Sequence, residues 1–592
     1  MSYLLVTTSC EESWSLNKKV LFLGEWCKRH GQKSQWFKLD FDTAEPYAIT
    51  VEQKHRINCY ADNLFKELLH ELTNELNRLH GVNYSERYWN IVVGPWLYKY
   101  IKTIVNRYCT LEQALSNYDI DETIIIKSHN YSLSSLTYMG FIRCLGDDFW
   151  NHVLYANILQ NWPESNINLI YREAKVPDFY RQKHSVGVKR IWNWKRVLKS
   201  LLFKVSKIFL NFARDSDAVI IKSYLPIFKE LQLHIALGQF PQFWHTSKIA
   251  HIDEETGKRS GFFQNYERYH GIDREVRRLV SVLIPRCYLE GYQSSLKQVN
   301  NLSWPHKPKF IYTANSFSTD EIFKLWTAKK VENGAPYYVG QHGNNYGTLA
   351  GSEIWTEITT CDKFFSWGWG GVYGMCKAVP AFVFKTIGLA RITPDDHSGG
   401  LLLVERGPGH RDGCQDRFYE HILYQKYVLN FFDGLDDLIK DKTTVRLHHS
   451  SQENNSSDMH IWKAHHPSIK IDPGFINIYK LIPKNRLVVH SYDSSGVLET
   501  LSLNIPTVCF WRGGLSDLLV DAVPYYQLLI DVGIVHITPE GAAKHVTDHW
   551  RDLDSWWHST KVQQARKVFC DRYAKEDNTP ILTLKKLLTA DL

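Results

Sequence analysis

The chain reads Arg486-Leu-Val-Val-His-Ser-Tyr-Asp-Ser-Ser-Gly-Val-Leu-Glu-Thr-Leu-Ser-Leu-Asn-Ile-Pro-Thr-Val-Cys-Phe-Trp511 at the point that decides its fold. Residues 487–489 form a short apolar run typical of a buried strand, and residues 493–496 are small and polar, as at a helix start. Leucines at helical spacing follow, and Pro506 precedes a second apolar run. The stretch therefore predicts a strand, a helix and a strand, the repeating unit of a parallel α/β sheet.

The start of this predicted helix is suited to a phosphate group. Its free N–H groups and the positive end of its dipole would lie just beyond the carboxyl edge of the sheet. We expect Ser494, Ser495 and Gly496 to line that edge. Glu499 comes one helical turn after Ser495 and could accept hydrogen bonds from a ribose. An ordinary capped helix with a solvated glutamate is the competing interpretation.

Composition describes a soluble globular protein of more than one domain. The 592 residues exceed one core and suggest two large domains or three smaller ones. Hydrophobic residues make up 44% of the chain and charged residues 22%. The net charge of +7 comes from 70 basic and 63 acidic residues. Because this excess is slight over such a length, we expect no nucleic-acid partner.

Cysteine usage and the N-terminal sequence bear on location and on metals. The 11 cysteines are scattered without a Cys-x-x-Cys pair, which favours reduced thiols, a cytoplasmic protein and no structural zinc. The first residues lack a basic signal region, and no apolar run reaches the ~18–20 residues of a spanning helix. Four Asp-x-Asp triplets occur, but none follows a clear strand pattern. We therefore expect no metal and no cofactor.

Strand and helix patterns alternate along the whole chain. Residues 1–395 predict one Rossmann-like domain on the acceptor side, with helical insertions at about 60–120 and 188–214. After a linker at 390–400 the alternation restarts, and 396–558 predict a nucleotide-binding Rossmann-like domain. A last helix within 559–592 is expected to pack back onto the first domain. The predicted fold is α/β, with two Rossmann-like domains facing each other across a cleft.

The insertion at 188–214 has an unusual composition. It holds eight basic residues and no acidic one, interleaved with tryptophans and aliphatic residues. This pattern is typical of a helix lying on an anionic bilayer surface, which would place the protein peripherally on the inner face of the membrane. A solvated basic face packed on its own domain is the alternative.

Two further strand ends carry candidate catalytic groups. The strand at 337–340 runs into Gln341-His-Gly-Asn-Asn-Tyr-Gly347, where His342 could remove a proton from a hydroxyl at neutral pH. A loop histidine that only bonds backbone is the competing interpretation. Glu25 follows a strand and a glycine, a pattern that fits either a catalytic edge or a capped turn.

Other residues at these edges are candidates for binding. Arg446 and His448 end the strand at 444–448 and are expected to hold a nucleotide phosphate together with the helix start at 494–496. The residues expected to contact the acceptor or the donor sugar are Gln341, Asn344, Asn345 and Trp26.

Four segments carry a resemblance to a known family. The segments Leu21–Cys27, Tyr88–Leu97, Gln341–Gly347 and Ser491–Glu499 resemble, in the same order, those of a bacterial family of transferases found among surface-polysaccharide genes. More distantly, the His-Gly loop, the basic residue with histidine and the Asp-Ser-Ser turn resemble the CDP-glycerol glycerophosphotransferases and the capsule Kdo transferases. The match is imperfect at Arg446-Leu-His-His449, because those relatives more often show a His-Pro pair, which here comes later as His466-Pro467. Which histidine touches the phosphate therefore stays open.

The resemblance implies a GT-B arrangement and a cytidine-nucleotide donor. It also implies that His342 is the base and that Ser494 and Ser495 bind phosphate. The first hypothesis is a metal-independent glycosyltransferase that adds Kdo or a related acid sugar to a lipid-linked or oligosaccharide acceptor of a surface polysaccharide. A CDP-glycerol or CDP-ribitol phosphotransferase is second. A non-catalytic glycan- or nucleotide-binding module is third.

Overall fold

The structure is a computed structural model that describes residues 2–127, 131–162, 166–173, 213–350, 356–389, 398–408, 411–450 and 458–590. Its strands are β1 Tyr3–Val6, β2 Val20–Phe22, β3 Phe41–Thr43, β4 Ile120–Lys127, β5 Asn168–Glu173, β6 Val219–Ile221, β7 Ile311–Thr313, β8 Tyr337–Gly340, β9 Lys363–Ser366, β10 Gly371–Tyr373, β11 Cys376–Pro380, β12 Gly400–Val404, β13 Thr443–Arg446, β14 Lys470–Asp472, β15 Asn485–His490, β16 Thr507–Phe510 and β17 Val535–His536.

The α-helices of the described ranges surround these strands. They are α1 Lys33–Trp36, α2 Val51–His80, α3 Glu86–Asn117, α4 Tyr138–Cys144, α5 Asp148–Gln160, α6 Ile227–Ala236, α7 Thr256–Ser260, α8 Gly271–Arg278, α9 Val280–Leu283, α10 Tyr292–Asn300, α11 Ser316–Thr319, α12 Glu321–Glu332, α13 Thr356–Thr360, α14 Arg417–Asp433, α15 Asp437–Lys440, α16 Asp458–His465, α17 Ser495–Ser502, α18 Val523–Asp531, α19 Pro539–His549, α20 Leu553–Trp557, α21 Thr560–Tyr573 and α22 Pro580–Thr589. None of these helices combines the length and the apolar character that a bilayer crossing requires.

Three sheets organise the strands. The first has the order β3-β2-β1-β4-β5 and is parallel throughout. The second has the order β10-β11-β9-β8-β7-β6 and is parallel except for the hairpin of β10 and β11. The third has the order β14-β13-β12-β15-β16-β17 and is again parallel.

The third sheet has the strand order of a doubly wound dinucleotide-binding fold. Counted from β12, its order is 3-2-1-4-5-6, which reverses between β12 and β15. In sheets of this kind a ligand binds outside the carboxyl ends of the strands that flank this reversal. Those ends lead into residues 405–408 after β12 and residues 491–494 after β15.

The prediction of an α/β fold is confirmed, but residues 1–395 carry two sheets rather than one. β5 pairs with β4 in the first sheet, and β6, the next described strand, pairs with β7 in the second. The sequence pattern marks strands but does not say which strands pair, because pairing depends on long-range contacts. The domain division at 395 and 558 stays a prediction. The basic segment 188–214 and the linker 390–400 lie largely outside the described residues.

Two long helices form the insertion predicted at about 60–120. A capping box between Thr50 and Gln53 begins α2, and the Ser85 side chain accepts from the Tyr88 backbone N–H at the start of α3. Most of α3 is buried, because α2, α8, α12 and α13 all pack against it. This helix therefore packs against helices that connect the strands of the second sheet, from β6 to β9.

The C-terminal helices connect the second and third sheets. Helix α21 packs against α17 and α18 beside the third sheet, and α22 packs against α6 beside the second. Between them, the Lys575 N–H donates to the Trp367 carbonyl at 2.9 Å, and the Val383 N–H donates to the Lys575 carbonyl at 3.0 Å. The end of the chain thus holds the two sheets in a fixed relation.

Candidate functional site

The loop after β8 touches the turn after β15. The Asn344 N–H donates to Ser495 Oγ at 3.0 Å, and its side-chain amide donates to Asp493 Oδ1 at 2.7 Å. Further along the same loop, the Leu519 N–H donates to the Thr348 carbonyl at 2.7 Å. The carboxyl edges of the second and third sheets therefore face each other and meet at these residues.

Gln341 shapes the loop. Its side chain is 1% exposed, and its Oε1 accepts from the Trp367 N–H and from Trp369 Nε1, both at 2.9 Å. Its Nε2 donates to the Gly343 carbonyl at 2.7 Å. The amide is thus engaged within the protein, and its predicted contact with a sugar stays a prediction.

Asn344 and Asn345 differ in their surroundings. Asn345 is half-buried and holds a left-handed backbone with φ of 79°. Asn344 is buried, and its Oδ1 has no hydrogen-bond partner in the described part of the chain. This acceptor is the feature of the loop that best fits the predicted ligand contact.

A hydrogen-bonded chain runs from His342 through Tyr346 to Glu357. His342 Nδ1 lies 2.9 Å from the Tyr346 hydroxyl, which donates to Glu357 on α13. A phenol has one proton, so its oxygen accepts from the His342 Nδ1–H. His342 Nε2 is then the unprotonated nitrogen and is able to take a proton.

Sequence reasoning missed Tyr346 and Glu357. Tyr346 stands four residues after His342 in the quoted loop, which is the one signal that a partner was near. Glu357 belongs to a short helix with no motif of its own.

Burial sets the protonation of this chain of residues. Burial, with a smaller effect of the Lys385 charge, lowers the pKa of His342 to about 4. Burial raises the pKa of Glu357, and it raises the pKa of Tyr346 well above its ordinary value. His342 is therefore neutral at pH 7 in the free protein, as a proton acceptor must be.

The turn after β15 leaves the start of α17 open. Ser494 is the N-cap residue, but its side chain does not cap the helix; its Oγ lies 3.3 Å from His490 Nδ1. The first-turn amides of Ser495 and Gly496 therefore have neither a side-chain cap nor an intrahelical acceptor. A Cβ on Gly496 would lie 2.6 Å from His490 Cε1, so glycine permits this close packing. The expected anion site at the helix start is thus free of a capping side chain.

Glu499 bridges the two sheets. Its Oε2 accepts from the Tyr479 hydroxyl at 2.6 Å, and its Oε1 lies 3.4 Å from Lys385 Nζ, which comes from the side of the second sheet. Because the Lys385 charge also acts on His342, Glu499 lies near the loop that carries His342. Its contact with a ribose stays a prediction.

Arg446 and His448 have partners within the third sheet. Arg446 pairs with Asp472, its neighbour on β14, and donates to the Gly474 carbonyl at 3.4 Å. His448 Nδ1 accepts from the Ser450 N–H at 3.2 Å. A phosphate would have to compete with Asp472 for Arg446, so the predicted clamp is not assembled in this structure.

Glu25 and Trp26 lie at the end of β2 in the first sheet. Glu25 pairs with Lys28 at 2.9 Å, and no hydrogen bond or ion pair between described residues joins it to His342. Trp26 is 4% exposed, donates Nε1 to the Thr7 carbonyl at 2.9 Å, and carries the Arg411 guanidinium 3.9 Å above its ring. The ring is therefore packed inside the protein. The roles predicted for both residues stay predictions.

Comparison with solved structures gives distant matches. The wall teichoic acid polymerase TagF is 11% identical, with a TM-score of 0.32, over 69% of this chain and 98% of its own. MurG from Acinetobacter baumannii is 9% identical, with a TM-score of 0.31, over 63% of this chain and 99% of its own. The spinosyn rhamnosyltransferase SpnG is 10% identical, with a TM-score of 0.29, over 63% and 99%. Likeness of this degree carries no inference about the reaction.

No curated protein matches the chain. A family model, in contrast, matches it almost from end to end, over residues 3–588. The protein belongs to the LIC12162 family of transferases.

Proposed function

We propose that this transferase is a glycosyltransferase that moves Kdo or a related acid sugar from a cytidine-nucleotide donor to a surface-polysaccharide acceptor, lipid-linked or oligosaccharide, without a metal. The observation that carries the proposal is that the carboxyl edges of the second and third sheets meet. One edge presents the unprotonated Nε2 of His342, and the other presents the uncapped start of α17. The cytidine donor and the acid sugar rest on the resemblance of the loop and turn sequences.

The proposed reaction exchanges one bond for another. His342 Nε2 takes the proton of the acceptor hydroxyl while that oxygen bonds to the anomeric carbon of the donor sugar. The bond from that carbon to the phosphate oxygen breaks, and the nucleotide leaves with the electron pair. The negative charge gained by the phosphate is stabilised by the amides of Ser495 and Gly496 and by the dipole of α17.

The residues behind His342 position it. Tyr346 fixes the tautomer that exposes Nε2, and the Glu357 carboxyl holds the Tyr346 hydroxyl. A donor phosphate nearby would raise the low pKa of His342 toward neutrality, because an adjacent negative charge favours the imidazolium. The base would therefore gain strength when the donor binds.

The test uses the purified protein with CMP-Kdo, CDP-glycerol and CDP-ribitol in turn, and the mass of an acceptor glycan as readout. We expect a mass gain of one acid sugar, with release of CMP. We also expect His342→Gln to lower kcat roughly 10²-fold or more. Arg551→Gln, an exposed change in the helical region after the third sheet, should leave kcat unchanged.

The other outcomes are separable. An increase in acceptor mass that corresponds to glycerol phosphate or ribitol phosphate would show a glycerol- or ribitol-phosphate transferase instead. Nucleotide binding without any transfer, together with an unaffected His342→Gln variant in cells, would favour the non-catalytic module and overturn the proposal.

A further inference from the structure

Arg406 stands at the carboxyl end of β12, on one side of the strand reversal in the third sheet. β12 ends at Val404 and pairs with β15, whose carboxyl end leads into the turn at 491–494. The crevice between these two strand ends is where ligands bind in sheets of this order. None of the nucleotide-binding residues predicted from the sequence lies on the β12 side of this crevice.

The guanidinium of Arg406 is buried and lacks a carboxylate partner. It lies 4.4 Å from the centre of the Tyr424 ring and donates through Nη2 to the Glu420 carbonyl at 3.1 Å. Its Nε has no hydrogen-bond partner, and no ion pair reaches it from the described residues. The Glu420 carboxylate is itself paired with Lys54. A buried cation without a counter-ion is costly, and an anionic ligand would supply one.

Neighbouring contacts connect the backbone of Arg406 to the turn after β15. The Tyr424 hydroxyl accepts from the backbone N–H of Arg406 at 2.9 Å and lies 2.6 Å from Ser491 Oγ. Burial raises the pKa of the Tyr492 hydroxyl, and the Arg406 charge acts against that rise. The guanidinium is therefore within electrostatic reach of the turn that leads to Ser494.

Gly407, the residue after Arg406, lies close to His448. A Cβ on Gly407 would lie 2.8 Å from His448 Nδ1 and 2.6 Å from Ser450 Oγ. Glycine at 407 therefore lets the loop after β12 approach His448 closely. Arg446, in contrast, is paired with Asp472.

We infer that Arg406 is the cationic clamp for the donor's phosphate, facing the start of α17 across the strand reversal, with His448 beside it. The inference rests on the proposed function, because it presumes a nucleotide donor. It replaces Arg446 in the role expected from the sequence. A planar guanidinium can bond two phosphate oxygens at once, which a lysine cannot do.

The experiment measures binding of CMP, inorganic pyrophosphate and cytidine by calorimetry to the wild type and to Arg406→Gln, Arg406→Lys and Arg551→Gln. In the wild type, CMP should bind more tightly than cytidine, and pyrophosphate should compete with CMP. Arg406→Gln should lose roughly 30-fold or more of the CMP affinity, because it removes one partner of a buried charge pair. Cytidine affinity should not change, and Arg551→Gln should match the wild type.

A thermal unfolding scan without ligand controls for folding, and Arg406→Lys serves if Arg406→Gln does not fold. Arg406→Lys should bind CMP with an affinity between those of the wild type and a protein without the charge. CMP affinity equal to that of the wild type in both variants would overturn the clamp and leave the proposed function standing. A wild type that binds CMP no better than cytidine would overturn both.

Discussion

Asn344 donates its side-chain amide to Asp493 Oδ1 at 2.7 Å and so joins the loop after β8 to the turn after β15. Asp493 accepts a second bond from the Tyr526 hydroxyl at 2.8 Å. Burial raises the pKa of the Asp493 carboxyl to about 6, with these two bonds acting in the opposite direction. The edge that carries His342 and the edge that carries the start of α17 are therefore joined by a buried polar junction.

Asn344→Ala should loosen this junction. It removes the amide donor and leaves Asp493 with Tyr526, while the backbone bond to Ser495 can persist. A hydrogen bond to a charged group contributes about 1.5–3 kcal/mol, so the free energy of unfolding should fall by about that amount. We expect unfolding at a lower urea concentration and weaker binding of CMP. Asn301→Ala, at an exposed position, is the control, and equal urea midpoints for both variants would count against the junction.

Tyr346→Phe should slow the reaction without weakening donor binding. The change removes the oxygen that accepts from His342 Nδ1, so the imidazole is no longer held in the tautomer that exposes Nε2. We expect kcat to fall roughly tenfold to hundredfold with KM nearly constant. Glu357→Gln should have a smaller effect, because a glutamine oxygen can still accept from Tyr346.

Tyr373→Phe, on an exposed strand of the β10–β11 hairpin, provides a matched control for Tyr346→Phe. A merely structural role would lower the unfolding temperature and affect KM and kcat together. The dependence of kcat/KM on pH separates the two cases further. With His342 neutral down to about pH 4 in the free enzyme, activity limited by this group should fall only below about pH 5.

The strands and helices that carry the site could be predicted from the sequence, whereas the contacts between its side chains could not. The strand 337–340 has the predicted bounds, and α17 begins at Ser495 as the polar turn indicated. These elements follow from short-range pattern and turn chemistry. The pairing of Tyr346 with Glu357 and of Arg446 with Asp472 depends on which strands and helices become neighbours.

The choice between Arg446 and Arg406 illustrates the same limit. Both arginines stand at the ends of strands in the sequence, and the histidines that follow Arg446 favoured that residue. The strand order places β12, not β13, beside the reversal at β15. Sheet topology is a long-range property, so the distinction became visible only in the folded chain.

The basic segment within 188–214 gives a prediction that does not depend on the described residues. Reversing Lys199, Lys204 and Lys207 to glutamate replaces three positive charges with negative ones. Each basic residue near an anionic bilayer contributes about 1 kcal/mol of attraction, so the variant should be released from vesicles that contain anionic lipid. Co-sedimentation with such vesicles measures this, and neutral vesicles are the control. Unchanged co-sedimentation would remove the proposed peripheral membrane location.

His152 should make the protein sensitive to mild acid. Burial lowers the pKa of His152 to about 4, and its Nε2 accepts from the Ile126 N–H at 3.0 Å, which requires an unprotonated nitrogen. In the unfolded chain the pKa returns to about 6.5. As the pH falls from about 6.5 to about 4, the unfolded state takes up a proton that the folded state does not, so the free energy of unfolding decreases.

Between pH 7 and pH 5, His152 should lower the free energy of unfolding by about 2 kcal/mol. This value follows because pH 5 lies about 1.5 units below the pKa of the histidine in the unfolded chain. His152→Gln, whose amide oxygen can accept from Ile126, should therefore lose less stability than the wild type between pH 7 and pH 5. Urea unfolding at pH 7 and at pH 5 measures this loss of stability for each protein. His251→Gln, at an exposed histidine, should keep the pH dependence of the wild type. Equal pH dependence in His152→Gln and the wild type would mean that the pKa of His152 is the same in the folded and unfolded chain, and would contradict the prediction.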